Sequence, residues 1–172
     1  MLVFDSCSEG KELVSSGYSQ VDTMTVLHAK GELGAGGVNV AESASAERWT
    51  RAYLRAFYGG EGLAGVVAPI VASLMRSRAV TLLEARVGPE TVGVLALYRT
   101  SGAAGVYCVG TDPEHRREGV ATGLLGRAKE LASAEGRTMV LQTLDSDRAL
   151  DFYIKRGFEK MYSKRVLERK QK

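Results

Sequence analysis

The sequence predicts an α/β (α+β) domain with a mixed central sheet flanked by helices. Three observations carry this. From Val38 onward, stretches of helical period alternate with short apolar runs of strand length. Glycines close the helical stretches at Gly59-Gly60, Gly136 and Gly157. Two apolar runs, Val80–Val87 and Thr91–Arg99, meet across Gly88-Pro89-Glu90, a tight-turn signal. A chain of 172 residues, 45% hydrophobic and 25% charged, can bury one sizeable core and carry an appendage.

After a first strand near Val38, residues Glu47–Tyr58 place Trp49, Tyr53, Ala56 and Phe57 at helical spacing, which reads as a core-facing stripe. A second helix covers Leu63–Met75 around Pro69. Two strands and their turn follow, then a third strand over Ala104–Gly110. A loop, Thr111–Glu118, leads into an amphipathic helix from Gly119 to Glu135, with Leu124, Leu125, Ala128, Leu131 and Ala132 on one face. Met139–Leu144 is a short apolar strand. Ser146 is a candidate N-cap for a helix reaching Arg156, and a last strand or hairpin takes Phe158–Leu167. The order from Val38 is β-α-α-β-β-β-α-β-α-β.

Composition excludes several classes. A net charge of +3 is mild, and its one dense run is the tail Lys164, Arg165, Arg169, Lys170 and Lys172, which reads as a solvated terminus. No nucleic-acid stripe is expected. Cys7 and Cys108 are distant and His28 and His115 stand apart, so neither a disulfide framework nor a metal site is expected. With no basic leader and no apolar run of spanning length, the expectation is a cytoplasmic protein with no membrane partner.

The first thirty residues resemble the end of the chain. Setting Gly17 on Gly157, an offset of 140 residues, brings Asp5 onto Asp145, Ser6 onto Ser146 and Tyr18 onto Phe158. Val26-Leu27 then meets Val166-Leu167, and Lys30 meets Lys170. Both stretches read strand, short helix, glycine, strand. Two strands and a short helix cannot bury a core alone, so this segment should dock on the main domain or on a neighbouring subunit, in a structural role. The expected organisation is residues 1–32 as this repeat, 38–168 as the main domain and 169–172 as a basic tail. An exposed final hairpin and a segment in need of a surface suggest a homodimer.

The stretch richest in chemistry joins the third strand to the amphipathic helix. Arg116-x-x-Gly119-x-Ala121 stands where a helix opens with unpartnered backbone N–H groups and the positive end of its dipole. Small residues at 119 and 121 let an anion approach the backbone, and Arg116 and Arg117 add positive charge. Such a site suits a pyrophosphate. It is neither a Walker loop, lacking Gly-Lys-Ser/Thr, nor a dinucleotide fingerprint with its three glycines.

Val109, Pro113-Glu114-His115-Arg116, Gly119 and Ala121 together resemble the acetyl-CoA motif of the GNAT acetyltransferases. Ala149-Leu-Asp-Phe-Tyr153-Ile-Lys-Arg-Gly157-Phe158 is similar to that family's closing motif, and the element order agrees with its fold. The N-terminal repeat then resembles the C-terminal end of a second GNAT copy. The resemblance implies an acetyl-CoA-dependent N-acetyltransferase acting on an amine. It assigns the pantetheine arm to the backbone of Cys108, Val109 and Gly110. The rest of the cofactor falls to Arg116, Arg117, Glu118, Gly119, Val120, Ala121 and Thr122. Ser146 replaces an asparagine common in the family near the pantetheine, and Arg117 stands where the family often has glycine. Tyr153 matches the family's general acid, against a reading as a core aromatic. Cys108 reads as an inert buried thiol rather than a nucleophile. Glu84, Asp145 and bound water are all open as the base. The alternative is a non-catalytic acyl-CoA-binding or interaction domain on the same fold.

Overall fold

A computed structural model gives the fold, describing residues 2–5, 11–34 and 36–169, with side chains from residue 13 onward. The chain divides into two compact units, Met1–Gly31 with Val140–Lys172, and Glu32–Met139. Cys7, Ser6, Lys170 and Lys172 lie outside the described residues.

The first unit holds β1 (Leu2–Asp5), α1 (Lys11–Ser15), β2 (Tyr18–Ala29), β7 (Thr138–Leu144), α5 (Leu150–Ile154) and β8 (Phe158–Arg169), labelled in chain order. Its strands stand in the order β1-β8-β2-β7, each neighbouring pair antiparallel. The central pair is symmetric. Shifting each residue by 140 positions turns Tyr18↔Arg169 into Ala29↔Phe158, and Gln20↔Leu167 into Leu27↔Lys160. The pair Met24↔Lys164 maps onto itself and marks the two-fold axis.

Even the irregularities obey this axis. One bulge leaves Val21 without an opposite residue between Gln20 and Asp22, and the other leaves Met161 unopposed between Val26 and Leu27 of the facing strand. Each strand is entered through a left-handed glycine, Gly17 at φ 88° and Gly157 at φ 85°. Val26, Leu27, Val166 and Leu167 are all buried, as are Tyr18 and Phe158. Tyr18 with Phe158, and Val26-Leu27 with Val166-Leu167, therefore occupy equivalent places in the β2–β8 pair. Each fully buried side chain of this size contributes about 1.5–3 kcal/mol, so the shared apolar positions hold the pair in register.

One local expectation is not met here. The helix read from Ser146 to Arg156 is broken: Asp145–Asp147 forms a 3-10 turn and Arg148 is left-handed at φ 52°. Helix α5 then begins at Leu150, and its N-cap is Ala149, which offers no side-chain bond. The Asp147 carboxylate caps the 3-10 turn, accepting from the Leu144 N–H at 3.0 Å. The last element, expected as a strand or hairpin, is one strand, Phe158–Arg169, paired along its length with β2 and over Arg165–Glu168 with β1.

The second unit holds β3 (Asn39–Glu42), α2 (Ala46–Tyr58), α3 (Ala64–Met75), β4 (Val80–Val87), β5 (Glu90–Arg99), β6 (Ala103–Thr111), a 3-10 turn (Pro113–His115) and α4 (Val120–Ala134). Its strands stand in the order β6-β5-β4-β3, again antiparallel. One face of this sheet packs Leu82, Val94 and Ala96 against Trp49 and Ala52 of α2 and Val71 of α3. The Trp49 Nε1–H donates to the Leu83 carbonyl at 3.0 Å, so the one polar atom of the buried indole is satisfied. The opposite face carries α4. A Cβ at Gly93 would lie 2.4 Å from Val120 Cγ1 and 3.1 Å from Leu124 Cδ1, so β5 admits α4 at this crossing only because residue 93 is glycine. The stripe read for α4 holds, with Leu124, Leu125, Ala128 and Ala132 buried. In α2 the stripe holds less well, since Phe57 is about half exposed.

Candidate functional site

The loop between β6 and α4 is fixed from its first residue. The Asp112 carboxylate accepts from the Glu114 N–H at 3.1 Å, which caps the Pro113–His115 turn. The same carboxylate takes the Arg55 Nε–H at 2.7 Å, while Arg55 Nη2 donates to the Thr91 carbonyl at 2.8 Å. Burial pushes the Asp112 carboxyl up, but the Arg55 hydrogen bond, the Glu114 N–H and the charge of Arg55 outweigh it and hold it below the ordinary range. Arg55 thus ties α2 to the start of the loop. Arg55 was not among the residues singled out from the sequence; Asp112-Pro113 was the available sign of a capped turn.

Beyond this anchor the backbone turns left-handed twice, at Arg117 (φ 68°) and at Gly119 (φ 84°), the N-cap of α4. Arg117 occupies a conformation that favours glycine, at a cost of about 1 kcal/mol. No side chain caps α4. Its first N–H groups therefore point out of the helix with the dipole behind them. Arg116, Arg117 and Glu118 are exposed, Gly119 and Ala121 are half-buried, and Val120 is buried against β5. Thr122 belongs to the same first turn.

Glycines on one side of α4 receive the segment that precedes β3. A Cβ at Gly36 would stand 2.4 Å from the Gly119 carbonyl oxygen and 2.5 Å from the Gly123 nitrogen, so backbone lies directly on backbone. Gly126 meets the Gly34 carbonyl in the same way, at 3.2 Å from its Cβ position. This glycine strap was not read from the sequence. Strap and helix also border an open cleft of about 580 Å³ that includes Val38, Glu42 and Arg127. Arg127 is paired with Glu130 at 2.9 Å.

Strand β6 carries a bulge where the resemblance assigns the pantetheine arm. Tyr107 faces Ala96 and Gly110 faces Val94, so Cys108 and Val109 share one partner position. Cys108 is left-handed, at φ 54°. Such a bulge interrupts the ladder and leaves backbone groups available to a ligand. Burial pushes the Cys108 thiol up, which favours the neutral form and agrees with an inert cysteine. Tyr53 packs beside it, in a column of α2 rings in which Trp49 stacks at 5.5 Å and Phe57 lies at 4.9 Å. Desolvation, a hydrogen bond with Tyr58 and the neighbouring Cys108 push Tyr53 up to about 12. Gly110 leaves no room for a side chain, because its Cβ would meet Phe57 at 2.6 Å and Ala56 at 2.9 Å.

In the first unit, Tyr153 sits on α5 with its ring edge-on to Phe152 at 5.2 Å and to Phe158 at 5.6 Å. Burial, then the charge of Asp147, raises its hydroxyl above the ordinary tyrosine value, so it stays protonated. Ser146 is exposed on the turn that leads to this helix. Asp22 of β2 accepts from the Thr23 N–H at 2.7 Å. Ser146 first, then Thr23, draw its carboxyl below the ordinary range. Asp22 was not among the candidate residues, and nothing local in the sequence singles it out.

Of the candidate bases, Glu84 is buried in β4. It is 2% exposed, accepts from Ser43 Oγ at 2.7 Å and from Arg48 Nη2 at 3.3 Å. Those partners occupy it structurally. Asp145 is exposed. Among the described residues, no group of three His, Cys, Asp or Glu side chains could hold a metal ion. No described helix is long and apolar enough to cross a membrane.

Comparison with known proteins agrees with this architecture. Residues 78–160 match the acetyltransferase (GNAT) domain family. No protein of curated function matches the sequence. Among solved structures, the chain is similar to a GCN5-related N-acetyltransferase from Kribbella flavida (TM-score 0.73, 22% identity, 99% of this chain and 68% of that one). It is also similar to one from Sphaerobacter thermophilus (TM-score 0.76, 18% identity, 96% of this chain and 58% of that one). A GNAT-family acetyltransferase from Colwellia psychrerythraea gives TM-score 0.75 at 12% identity, over 98% of this chain and 64% of that one. The chain thus spans about two thirds or less of the length of these structures. At such identities the likeness shows the fold: the chain has the GNAT fold, and its residues 78–160 match the acetyltransferase (GNAT) domain.

Proposed function

We propose that the chain transfers the acetyl group of acetyl-CoA to a primary amine, on a small molecule or a protein N-terminus, by direct attack of the amine on the thioester. The observation that carries this reading is the uncapped start of α4 behind left-handed Gly119, within the motif Arg116-x-x-Gly119-x-Ala121. The cofactor's diphosphate would lie on the N–H groups of residues 119–122, with Arg116 and Arg117 supplying charge. The bulged backbone at Cys108-Val109-Gly110 would take the pantetheine arm, and an N–H near Val109 would polarise the thioester carbonyl. Collapse of the tetrahedral intermediate breaks the carbon–sulfur bond and releases CoA thiolate.

Tyr153 is the proposed acid for that thiolate. An ordinary thiol titrates near 8.5 and a tyrosine near 10, so full proton transfer is uphill by about 2 kcal/mol. The raised value of Tyr153 makes transfer harder still and hydrogen-bond donation the better role. With Glu84 occupied and the Cys108 thiol neutral, neither an acetyl-cysteine route nor a Glu84 base is part of the proposal. The amine would lose its proton to water or Asp145.

Calorimetric titration with acetyl-CoA tests this, with Gly119→Glu beside the wild type. The expected result is saturable binding by the wild type and a loss of at least about 100-fold in the variant, whose carboxylate would stand where the phosphates bind. Folded wild type that binds nothing at millimolar acetyl-CoA overturns the reading. Binding without release of free thiol on any amine of a panel selects the non-catalytic acyl-CoA-binding alternative.

A further inference from the structure

Beside the β6 bulge, helix α2 presents a column of rings. Trp49, Tyr53 and Phe57 are four residues apart and so share one face of the helix. Along that face the column runs from core to surface: Trp49 is buried, Tyr53 half-buried and Phe57 exposed. Its outer end meets the strand. Tyr53 and Cys108 pack against the same core cluster, and the Phe57 ring comes within 2.6 Å of where a Gly110 Cβ would stand. Tyr58, more exposed still, lies 6.0 Å from Tyr53. The rings therefore border both ends of Cys108-Val109-Gly110.

Charge is kept off this face. Glu47, Arg51 and Arg55 come two residues before Trp49, Tyr53 and Phe57, and two residues of α-helix turn by about 200°, so the charged row stands on the far side. Its members are also paired, Arg51 with Glu47 at 2.7 Å and Arg55 with Asp112 at 2.7 Å. Arg48 is held by Glu84 at 3.3 Å. Helix α3, packed on α2, extends the apolar character: it carries no charged residue from Ala64 to Met75 and leaves Val66 and Ile70 more than half exposed. Tyr53 supplies no anion either, since its hydroxyl, pushed up to about 12, stays neutral.

Exposed apolar residues grouped beside a site, unlike ones scattered singly, mark a binding surface. A carboxylate or phosphate on the acceptor would find no countercharge among these rings, and its desolvation would go uncompensated. An apolar wall also disfavours the ammonium and so favours the neutral amine that attacks. We propose that the α2 ring column, with Phe57 and Tyr58 as specificity residues, selects a small primary amine carried on an apolar frame, an aromatic ring or aliphatic chain, over amines that bear a carboxylate or lack that frame. The amine nitrogen then bonds the acetyl carbon and the carbon–sulfur bond breaks, the nitrogen's proton passing to solvent as CoA leaves. This inference rests on the acetyl-CoA reading above and names the acceptor for that site.

Three amines test it in the full chain: 2-phenylethylamine, phenylalanine, which adds a carboxylate to the same frame, and ethanolamine, which has a hydroxyl in place of the ring. Free-thiol release gives kcat/KM for each with wild type, Phe57→Ala, Phe57→Leu and Tyr58→Ala, and acetyl-CoA affinity and melting temperature are read alongside. The wild type should favour 2-phenylethylamine over both other amines by at least about tenfold. Phe57→Ala should cut the preference for 2-phenylethylamine over ethanolamine about tenfold, chiefly through KM, and Tyr58→Ala should cut it less. Phe57→Leu keeps an apolar side chain over Gly110 and should hold part of the preference, which also serves if Phe57→Ala does not fold. Equal or better use of phenylalanine or ethanolamine by the wild type, or a Phe57→Ala loss that is the same for every amine, overturns the proposal while leaving the acetyl-CoA reading intact. Acetyl-CoA binding with no turnover of 2-phenylethylamine overturns it as well. A wild type that binds no acetyl-CoA removes that reading instead.

Discussion

Strands β2 and β8 share a length of twelve residues, a bulge at the same step and a left-handed glycine before the first residue. Their chemistry differs. Beside its bulge β2 carries Asp22 and β8 carries Tyr162, and on the helix that precedes each strand Leu13 stands where the other repeat has Tyr153. Backbone pattern and functional side chains are therefore set separately. Small and apolar residues specify the pairing, and a few polar substitutions decide what each copy does with it.

The strongest test of this division is to alter the unlike residues one at a time. Tyr153→Phe should lower kcat by about 100-fold with little change in acetyl-CoA KM, in line with loss of a hydrogen-bonding acid. Leu13→Ala should leave kcat alone and lower only the melting temperature, as a trimmed apolar residue. Because the Tyr153 hydroxyl titrates above its ordinary value, a basic limb in kcat below pH 10 should survive in Tyr153→Phe. Disappearance of that limb would show that the Tyr153 hydroxyl itself titrates below pH 10. Equal losses of kcat in both variants would mean that the repeats are not divided into framework and chemistry.

A middle-sized effect is expected where β2 leads into the second unit. Gly36→Ala forces a methyl group onto the Gly119 carbonyl and the Gly123 nitrogen, and should destabilise the chain by about 1–3 kcal/mol in chemical denaturation. Gly37→Ala meets nothing within 4 Å and should be silent. If the two variants denature alike, the strap does not bear on α4.

The smallest effects test the symmetry itself. Gly17→Ala and Gly157→Ala each place a side chain at positive φ and should each cost about 1 kcal/mol. Matching shifts in melting temperature support two turns that carry equal weight. A silent Gly17→Ala would show that the N-terminal copy frays before the C-terminal one unfolds.

Much of this was legible because it depends on residues near one another in sequence. The alternation of periods set the element order, the Gly17–Gly157 offset set the repeat, and Gly119 with Ala121 marked the opening of α4. The left-handed φ at Arg117 explains a departure that the sequence showed without giving its reason: a family glycine there is a backbone requirement, which arginine meets under strain. The misread helix near Ser146 has an equally local cause. Ser146 is a good N-cap type, but the Asp147 carboxylate captured the Leu144 N–H first and closed a 3-10 turn.

The rest required the tertiary structure. Glu84 reads as an ordinary strand residue until Ser43 and Arg48 are brought to it, and Arg55 reads as solvated until Asp112 is. Thr25 and Thr143 are separated by most of the chain, and only the β2–β7 register makes them neighbours. Sequence alone determined most of the elements and their order, because hydrophobic period and glycine conformation act over a few residues. Which polar groups meet was decided only by the fold, since hydrogen bonds and charge pairing depend on distances of a few ångströms that pairing across the sheet creates.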